Sequence, residues 1–389
     1  SKGSELFMKV LILSCNTGEG HNSCAAALEE ECRNQNIPCD TEDALRFISP
    51  EVSRFISNWH VRIYRHAPGL FRVGYRAAED HPAQFHEGSA LYRYLTQGAE
   101  KLCGFIAGSG YDTVICTHTF AALMVSEVVK THLPNLKTCF IATDYTCSPS
   151  VKDSSLDRYF IPASSLSGDF LGGGVTSERL RACGIPVRQM FRSSVRKEDA
   201  KRAFGIPADH KHLVMMCGSM GCGPIMSIAR RIGRDLPDDQ DLTIVCGTNK
   251  QLYRRLQRRF YDAKNVHVRS YVKDMALLMD SADLYLTKPG GISVTEAASM
   301  RLPMVFIDAV AGCEEYNKDF FLRTGGAVTG QTPKEIARTS LRLLSDKDAL
   351  EKKGDALDAA VPHNAAANIL SEMSEAGEEE EEEKEEDLA

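Results

Sequence analysis

The chain has 389 residues, of which 43% are hydrophobic, and this is enough for two cores because single domains usually hold about 100 to 200 residues. No apolar run approaches the roughly 18 residues of a membrane span and no secretory signal opens the sequence, so we expect no membrane-crossing helix. The formal charge of −7 comes from residues 372–389, which carry −10 and leave +3 for the rest. The chain before residue 372 is therefore mildly basic. We predict no nucleic-acid partner.

The thirteen cysteines include no pair at two-residue spacing and no Cys/His group at zinc-finger spacing. Their odd number leaves at least one thiol without an intramolecular partner, and we interpret the pattern as that of a reducing, cytoplasmic interior. The run Glu378–Glu383 cannot bury apolar area, so a disordered acidic tail is expected, and a solubilising tail is favoured over an interaction tail.

Short β-type runs alternate with helix-type runs, which is typical of a parallel α/β fold with two doubly wound, Rossmann-like domains. The first series of predicted strands is Val10–Ser14, Cys39–Ala44, Thr113–Thr117, Thr138–Ala142 and Arg158–Ile161. The second series is Leu213–Cys217, Leu242–Cys246, Val266–Val268, Leu284–Leu286 and Met304–Ile307. Helices are predicted to begin at Pro224, Asn249, Val272, Ile292 and Cys313.

The predicted domains follow from this alternation. The first spans 8–195 and the second 196–360, with the boundary at a polar stretch near Ser193–Asp199 that interrupts the apolar periodicity. A C-terminal helix over 361–376 is expected to return to the first domain, and the acidic tail occupies 377–389. Ligands of such folds bind at the carboxyl ends of the strands, so a cleft between the two domains is expected.

A glycine loop follows the first strand and contains Gly18, Gly20 and His21. With Asp40 about twenty residues on, the two glycines suggest a dinucleotide-binding fingerprint, but the third glycine is missing. Without further information, His21 has two interpretations: a functional histidine in a cleft, or a residue that only orders the loop.

The segment from Arg54 to Arg76 carries five arginines and no acidic residue, with Ile56, Trp59 and Ile63 at helical spacing. A basic amphipathic segment with an aromatic residue suits the interface of an anionic bilayer, although a helix that faces a core would show the same apolar stripe. The candidate membrane residues are Arg54, Trp59, Arg62, Arg65, Phe71 and Arg72.

Two polar residues follow predicted strands of the first domain. His118 comes after the third strand and Asp144 after the fourth, so both should lie at the rim of the cleft. Asp144 is a candidate for orienting or activating a hydroxyl; the alternative is that it caps its own loop.

In the second domain, a glycine loop follows the first strand and enters a helix at Pro224, a residue suited to a first helical turn. Its amides are candidates for cradling a diphosphate, and the alternative is a bare tight turn. The residues concerned are Gly218, Ser219 and Gly221. Asn249 occupies a similar position after the next strand, and Tyr271 and Val272 follow the one after it.

The stretch Thr287–Asn317 predicts a strand, a glycine turn, a helix, a strand and an acidic loop. Gly290 and Gly291 allow a ligand to approach the backbone, and the helix that follows presents N–H groups that attract phosphate. Glu296, in the first turns of that helix, suits ribose hydroxyls, and Glu314 suits sugar hydroxyls. Further candidates for this site are Pro289, Ile292, Ser293 and Asn317.

Lys288-Pro289-Gly290-Gly291 with Glu296-Ala297, followed by Gly312-Cys313-Glu314 and Asn317, resembles the processive diacylglycerol glucosyltransferases of Gram-positive bacteria and the monogalactosyldiacylglycerol synthases of chloroplasts. These enzymes form glycosyltransferase family 28, whose pattern has Gln where this chain has Cys313. That departure removes a side-chain amide suited to choosing between glucose and galactose.

The resemblance implies a GT-B fold and assigns roles. Gly18, Gly20 and His118 are implied to lie on the acceptor side, and the candidates of the second domain to bind the donor. His21 matches the histidine that follows the glycine loop of the acceptor domain, where a near-neutral pKa suits deprotonation of a hydroxyl. Asn249 is implied to touch the donor, and Tyr271 and Val272 to hold the uracil ring through the backbone.

The implied activity is transfer of a hexose, glucose or galactose, from a UDP-sugar to diacylglycerol at the cytoplasmic face of the cell membrane, by a peripheral protein on an anionic surface. No metal and no cofactor beyond the UDP-sugar donor substrate are expected, because helix termini offset the diphosphate charge and no Asp-x-Asp motif occurs. Two alternatives are a sugar-nucleotide epimerase of the same fold and a non-catalytic sugar-nucleotide sensor.

Overall fold

The computed structural model describes residues 8–15, 19–51, 53–55, 58, 77–192, 195–216, 223–307 and 312–375. The chain forms two compact units. The first unit runs to Arg188 and resumes at Pro362, and the second unit is Gln189–Val361.

The first unit contains a six-stranded sheet in which every neighbouring pair is parallel, in the order β2-β1-β3-β4-β5-β6. Its strands are β1 Val10–Ser14, β2 Cys39–Asp43, β3 Thr113–Cys116, β4 Lys137–Ile141, β5 Arg158–Phe160 and β6 Leu180–Arg181. Every residue of β1 and β3 is buried, as expected for central strands covered on both faces.

The helices of the first unit alternate with the strands of this sheet along the chain. They are α1 Glu19–Asn34, α2 Leu45–Ile48, α3 Ala90–Thr96, α4 Ala99–Ser109, α5 Thr119–Thr131 and α6 Ser167–Gly172. Further helical residues lie at 50–51, 53–55, 58 and 77–80. His118 caps α5, because its side chain accepts a hydrogen bond from the Phe120 N–H, and Ser89 caps α3 in the same way through Tyr92.

The second unit repeats the architecture with the order β12-β11-β10-β7-β8-β9, again parallel throughout. Its strands are β7 Lys211–Met216, β8 Gln240–Val245, β9 Val266–Arg269, β10 Leu284–Thr287, β11 Met304–Phe306 and β12 Ala327–Thr329. Its helices are α7 Lys197–Ala203, α8 Ile225–Asp235, α9 Lys250–Arg259, α10 Met275–Ser281, α11 Gly291–Ser299, α12 Cys313–Thr324, α13 Pro333–Leu344 and α14 Lys347–Ala360.

The predicted start of a helix at Val272 is wrong by three residues. The helix α10 begins at Met275, because the Asp274 side chain caps it by accepting a hydrogen bond from the Leu277 N–H. The short strands β6 and β12 were not predicted from the sequence. The sheet of the second unit carries a core of aliphatic side chains contributed by its strands and by α8, α9 and α13.

The chain after Val361 folds against the first unit. A last helix, α15, spans 365–375 and buries Ala366, Ile369 and Met373 completely. Arg181 of β6 pairs with Glu372 on this helix at 3.0 Å. The first unit is therefore assembled from two separate stretches of sequence.

Candidate functional site

His21 lies in the first turn of α1 and not in the loop where the sequence analysis put it, because the helix begins at Glu19. Gly20 is the second residue of the helix, and Gly18 lies outside the described residues. This places the imidazole at the carboxyl edge of the first sheet, above the end of β1.

The hydrogen bonds of His21 fix its tautomer. Its Nδ1 lies 2.9 Å from the carbonyl oxygen of Thr117 and 3.3 Å from the hydroxyl oxygen of Thr143. A carbonyl can only accept, so Nδ1 carries the hydrogen and the proton-free nitrogen is Nε2. Nε2 makes no hydrogen bond to a residue in the described part of the chain. The ring is thus oriented as a base with its lone pair available.

His118 and Asp144 both interact with the imidazole of His21. The His118 ring stands edge-on to the His21 ring, with the centroids 4.7 Å apart. Burial lowers the pKa of His21, and the negative charge of Asp144 together with the Thr117 carbonyl offsets part of that effect. His21 is therefore neutral at physiological pH, and Asp144 is placed to stabilise the imidazolium that would form on proton uptake.

Strand order explains why these groups meet. The strands β1, β3 and β4 are neighbours, and His21, His118 and Asp144 each follow the carboxyl end of one of them. A parallel sheet brings such ends to a single edge. The structure thus brings together three of the predicted residues, and it adds Thr117 and Thr143, which sequence reasoning missed because they serve through one carbonyl and one hydroxyl.

In the second unit, α11 begins at Gly291 directly after β10. A Cβ added to Gly290 would meet no atom of the described residues within 4 Å, and the φ of −72° at Gly290 suits any residue. Neither packing nor backbone strain therefore demands glycine, and the open space above Gly290 is available to a ligand. The first amides of α11 have no acceptor within the helix, which suits an anionic group. Ile292 is buried in this turn, whereas Ser293 and Glu296 are partly exposed.

Glu314 lies in the first turn of α12 and forms a buried ion pair. Its Oε1 is 3.7 Å from Nζ of Lys288, and both side chains are about nine-tenths buried, at 12% and 7% exposure. Lys288 follows β10, immediately before the glycine turn. Sequence reasoning did not single out this lysine, although a charged residue between a buried strand and a Pro-Gly-Gly turn is itself a signal of a site.

Asn317, one helical turn after Glu314, is completely buried. Its side-chain amide donates a hydrogen bond of 2.9 Å to the carbonyl of Pro289. Asn317 therefore fastens α12 to the glycine turn at Gly290. The predicted donor-site asparagine holds the loop in place through this bond.

The remaining donor-site candidates are more dispersed. Asn249 caps α9 by accepting the Leu252 N–H at 2.9 Å, and Tyr271 is 70% exposed beyond β9, next to a partly exposed Val272. The strands β8 and β9 are separated from β10 by β7. Gly218, Ser219 and Gly221 lie outside the described residues.

Most candidate membrane residues cannot be placed. Arg54 is exposed and pairs with Glu51 at 3.4 Å. Five lie outside the described residues: Trp59, Arg62, Arg65, Phe71 and Arg72. In the part of the chain that the structure describes, no helix is long and apolar enough to cross a bilayer. Within the same residues, no group of three or more His, Cys, Asp and Glu side chains could hold a metal ion.

Each half of the chain matches a known family of sugar-transferring enzymes. Residues 21–187 match the monogalactosyldiacylglycerol (MGDG) synthase family, and residues 229–357 match the glycosyl transferases group 1. The processive diacylglycerol beta-glucosyltransferase of Staphylococcus saprophyticus is 24% identical over 361 residues, which is 92% of this chain and 90% of that protein. The Bacillus cereus enzyme of the same name is 26% identical over 89% of this chain and 88% of its own.

Solved structures share the fold at low sequence identity. The Acinetobacter baumannii MurG crystal structure matches with a TM-score of 0.65 at 14% identity, over 95% of this chain and 99% of that one. UDP-GlcNAc 2-epimerase from Neisseria meningitidis, bound to UDP-GlcNAc, matches with a TM-score of 0.63 at 14% identity, over 94% and 99%. Anabaena HepE in complex with UDP and glucose gives 0.57 at 11% identity, over 94% and 99%.

The GT-B fold and the resemblance to the diacylglycerol glucosyltransferase and MGDG synthase family are confirmed. The chain therefore resembles glycosyltransferases in sequence and in fold. The site residues retain the status of predictions, now with a defined geometry for those the structure describes.

Proposed function

We propose that this glycosyltransferase moves a hexose from a UDP-sugar to the hydroxyl of diacylglycerol and so makes a glycolipid at a membrane surface. The observation that carries the proposal is the orientation of His21, a neutral imidazole whose Nε2 is available as a base, in a chain that resembles diacylglycerol glucosyltransferases over nine-tenths of its length. The relatives' names supply the acceptor class.

The chemistry proposed for the first unit is general-base catalysis. Nε2 of His21 takes the proton of the acceptor hydroxyl as its oxygen attacks the anomeric carbon of the sugar. Nδ1–H stays bonded to the Thr117 carbonyl, which prevents the ring from turning. Asp144 stabilises the imidazolium that forms, because its charge already favours the protonated ring.

The chemistry proposed for the second unit is donor binding and offset of the leaving-group charge. The amides at the start of α11 and the Nζ of Lys288 provide positive potential beside the open space at Gly290. Glu314, held by Lys288, is proposed to accept hydrogen bonds from sugar hydroxyls, and Glu296 from the ribose. Departure of UDP then needs no metal in this proposal, and EDTA is expected to leave transfer unchanged.

The decisive experiment separates transfer from the two alternatives. The protein is incubated with a panel of UDP-sugars, with and without diacylglycerol vesicles, and UDP release, lipid products and the donor sugar are measured. A transferase releases UDP and forms glycolipid only when both substrates are present. A new UDP-sugar in the absence of lipid would indicate an epimerase, and binding without any turnover would indicate a sensor.

Attachment to the bilayer by the Arg54–Arg76 segment is part of this proposal. The variant Trp59→Ala, Arg62→Glu, Arg65→Glu is expected to sediment poorly with vesicles that contain anionic lipid while binding UDP like the parent. Each arginine near such a surface contributes on the order of 1 kcal/mol. Equal sedimentation of the variant and the parent would assign the segment to core packing.

A further inference from the structure

The second unit carries a surface of arginines on α8 and α9 that form no ion pair with any acidic residue in the described part of the chain. Helix α9 holds five basic residues and no acidic one within ten positions, whereas α14 mixes three lysines with four acidic residues. The solvent faces of ordinary helices mix both signs, so the composition of α9 is unusual. The arginine surface consists of Arg230, Arg254, Arg255, Arg258 and Arg259, all exposed.

Of these arginines, Arg259 also lies over the ring of Phe260, at 5.5 Å from its centroid. None of the five forms an ion pair with a residue that the structure describes. The apolar side of α9 is packed separately, with Leu256 fully buried and Leu252 partly buried against the core of the sheet. The nearest acidic residue on α8, Asp235, already pairs with Arg234 at 2.7 Å. The positive charge therefore remains available to a ligand.

A cavity of about 390 Å³ opens between α8 and α9. Arg230 and Arg255 line it together with Ser227, Asn249 and Gln251. Two guanidinium groups with hydroxyl and amide neighbours match the hydrogen-bonding pattern of a phosphate group. The cavity can thus accept a phosphate-bearing headgroup, while Arg254 and Arg258 lie on the exposed surface beside it.

The residue that completes the surface is aromatic. Tyr261 follows the end of α9 and is 87% exposed, and the exposed Asp262 stands beside it in the sequence. Tyrosine rings favour the headgroup level of bilayers, and arginines favour anionic lipid. A single aromatic ring does not provide the row of stacking platforms used for single-stranded nucleic acid.

We propose that the arginine surface binds the phosphate headgroups of an anionic bilayer, with one headgroup held in the cavity between α8 and α9. This inference rests on the proposed function, which places the activity of the protein at a membrane surface. It adds a contact in the second unit, separate from the Arg54–Arg76 segment of the first.

The test is co-sedimentation of the full chain with vesicles, in the absence of donor sugar. The variant Arg254→Glu, Arg255→Glu, Arg258→Glu is compared with Arg323→Glu, Lys347→Glu, Lys352→Glu, which changes the net charge equally on α12 and α14. Since each arginine at an anionic surface is worth about fivefold in partitioning, the first variant is expected to bind phosphatidylglycerol-containing vesicles at least tenfold less and with a weaker salt dependence. The second variant should bind like the parent.

Three further measurements separate the sources of the effect. UDP affinity should be the same in the first variant and the parent; an equal loss would place the arginines in the donor site and overturn the proposal. Glycerol phosphate at millimolar concentration should not release the parent from vesicles; release would indicate a site for soluble phosphates. Competition by a short RNA, without vesicle binding, would indicate a nucleic-acid surface.

Failure of this proposal is distinguishable from failure of the proposed function. Vesicle binding is measured without turnover, so a protein that transfers no sugar can still bind through the arginine surface. Conversely, parent-like sedimentation of the first variant would overturn the inference even if the protein forms glycolipid.

Discussion

Two histidines, one in each unit, differ in how many of their ring nitrogens are hydrogen-bonded. His212, near the amino end of β7, is completely buried and both of its ring nitrogens are engaged: Nδ1 with the Ser281 hydroxyl at 2.9 Å and Nε2 with the Thr243 hydroxyl at 2.7 Å. His21, at the carboxyl edge of the other sheet, has a partner in the described chain only at Nδ1. A saturated histidine serves stability, and one with an available nitrogen can serve chemistry.

The charged residues near His212 also serve structure and not chemistry. At the amino edge of the second sheet, Asp283 accepts hydrogen bonds or ion pairs from Lys197 at 3.0 Å, Lys201 at 3.1 Å and the backbone of His212 at 2.9 Å. Burial alone would raise the pKa of Asp283, but the two lysines outweigh it and hold the pKa below its ordinary value. Buried charges alone therefore do not identify a functional site; the amino edge is a structural network.

The largest expected effect comes from removing the base. His21→Asn retains an N–H for the Thr117 carbonyl and lacks a proton acceptor, so transfer should fall by about 10²- to 10⁴-fold with an unchanged melting temperature. Steady-state assays and thermal unfolding measure the two quantities. Undiminished transfer in a folded variant would reduce His21 to an ordering role.

The pH profile provides a second readout for His21. Its lowered pKa means that the neutral base persists below pH 6.5, so the acid limb of kcat/KM should lie below that value. Asp144→Asn removes a charge that raises the pKa, and it should move the limb to still lower pH. An acid limb above pH 6.5 in the parent would contradict the burial described for this imidazole.

Asp283→Ala should give the opposite result, a loss of stability with little effect on the rate per folded molecule. Removing one partner of a buried ion pair leaves the lysines uncompensated and costs about 3 to 5 kcal/mol. Urea unfolding of the variant, with the exposed Asp262→Ala as a control, measures this cost. Parent-like stability would mean that water already solvates the pair.

His212 makes the stability of the second unit depend on pH. Burial lowers its pKa from 6.5 to about 4, so folding favours the neutral ring. The contribution of His212 to the free energy of unfolding is complete above pH 6.5. It decreases as the pH falls toward 4, because the unfolded chain binds a proton at this histidine and the folded chain does not. The expected loss is on the order of 3 kcal/mol, from 1.36 kcal/mol per pKa unit. His212→Gln should flatten this part of the curve relative to the parent.

The smallest expected effects separate two glutamates of the second unit. Glu314→Ala should lower turnover by at least tenfold while UDP still binds, because it removes a sugar contact, whereas Glu296→Ala should weaken UDP binding itself. Glu315→Ala, a neighbour in the same turn of α12, is the control. If both variants keep parent turnover and UDP affinity, the donor site is misplaced.

Most of the fold could be predicted because its strands are continuous apolar runs, such as Val10–Ser14, whose every residue is buried. The strand β6 has only two residues, both partly exposed, and leaves no such signal. The position of His21 was predicted less well, since glycine at position 20 indicates a loop, whereas the helix already begins at Glu19.

The parts of the site that could not be predicted depend on distant pairing. Lys288 stands before a Pro-Gly-Gly turn, which is a local signal of a site, but its ion pair with Glu314 lies 26 positions later in the chain. Outside the site, the structural ion pair of Asp283 and Lys201 likewise joins residues 82 positions apart. Local periodicity contains no information about such contacts.

The return of the chain to the first unit at Pro362 has a consequence for biosynthesis. The amino end of a nascent chain leaves the ribosome first. The strands up to Arg181 therefore emerge long before α15, whose Glu372 pairs with that arginine. The second unit is continuous in sequence and can complete its core first, although it is synthesised later. The first unit waits until the residues after Pro362 have been synthesised, and a nascent chain truncated before Pro362 lacks the helix whose Glu372 pairs with Arg181 of β6.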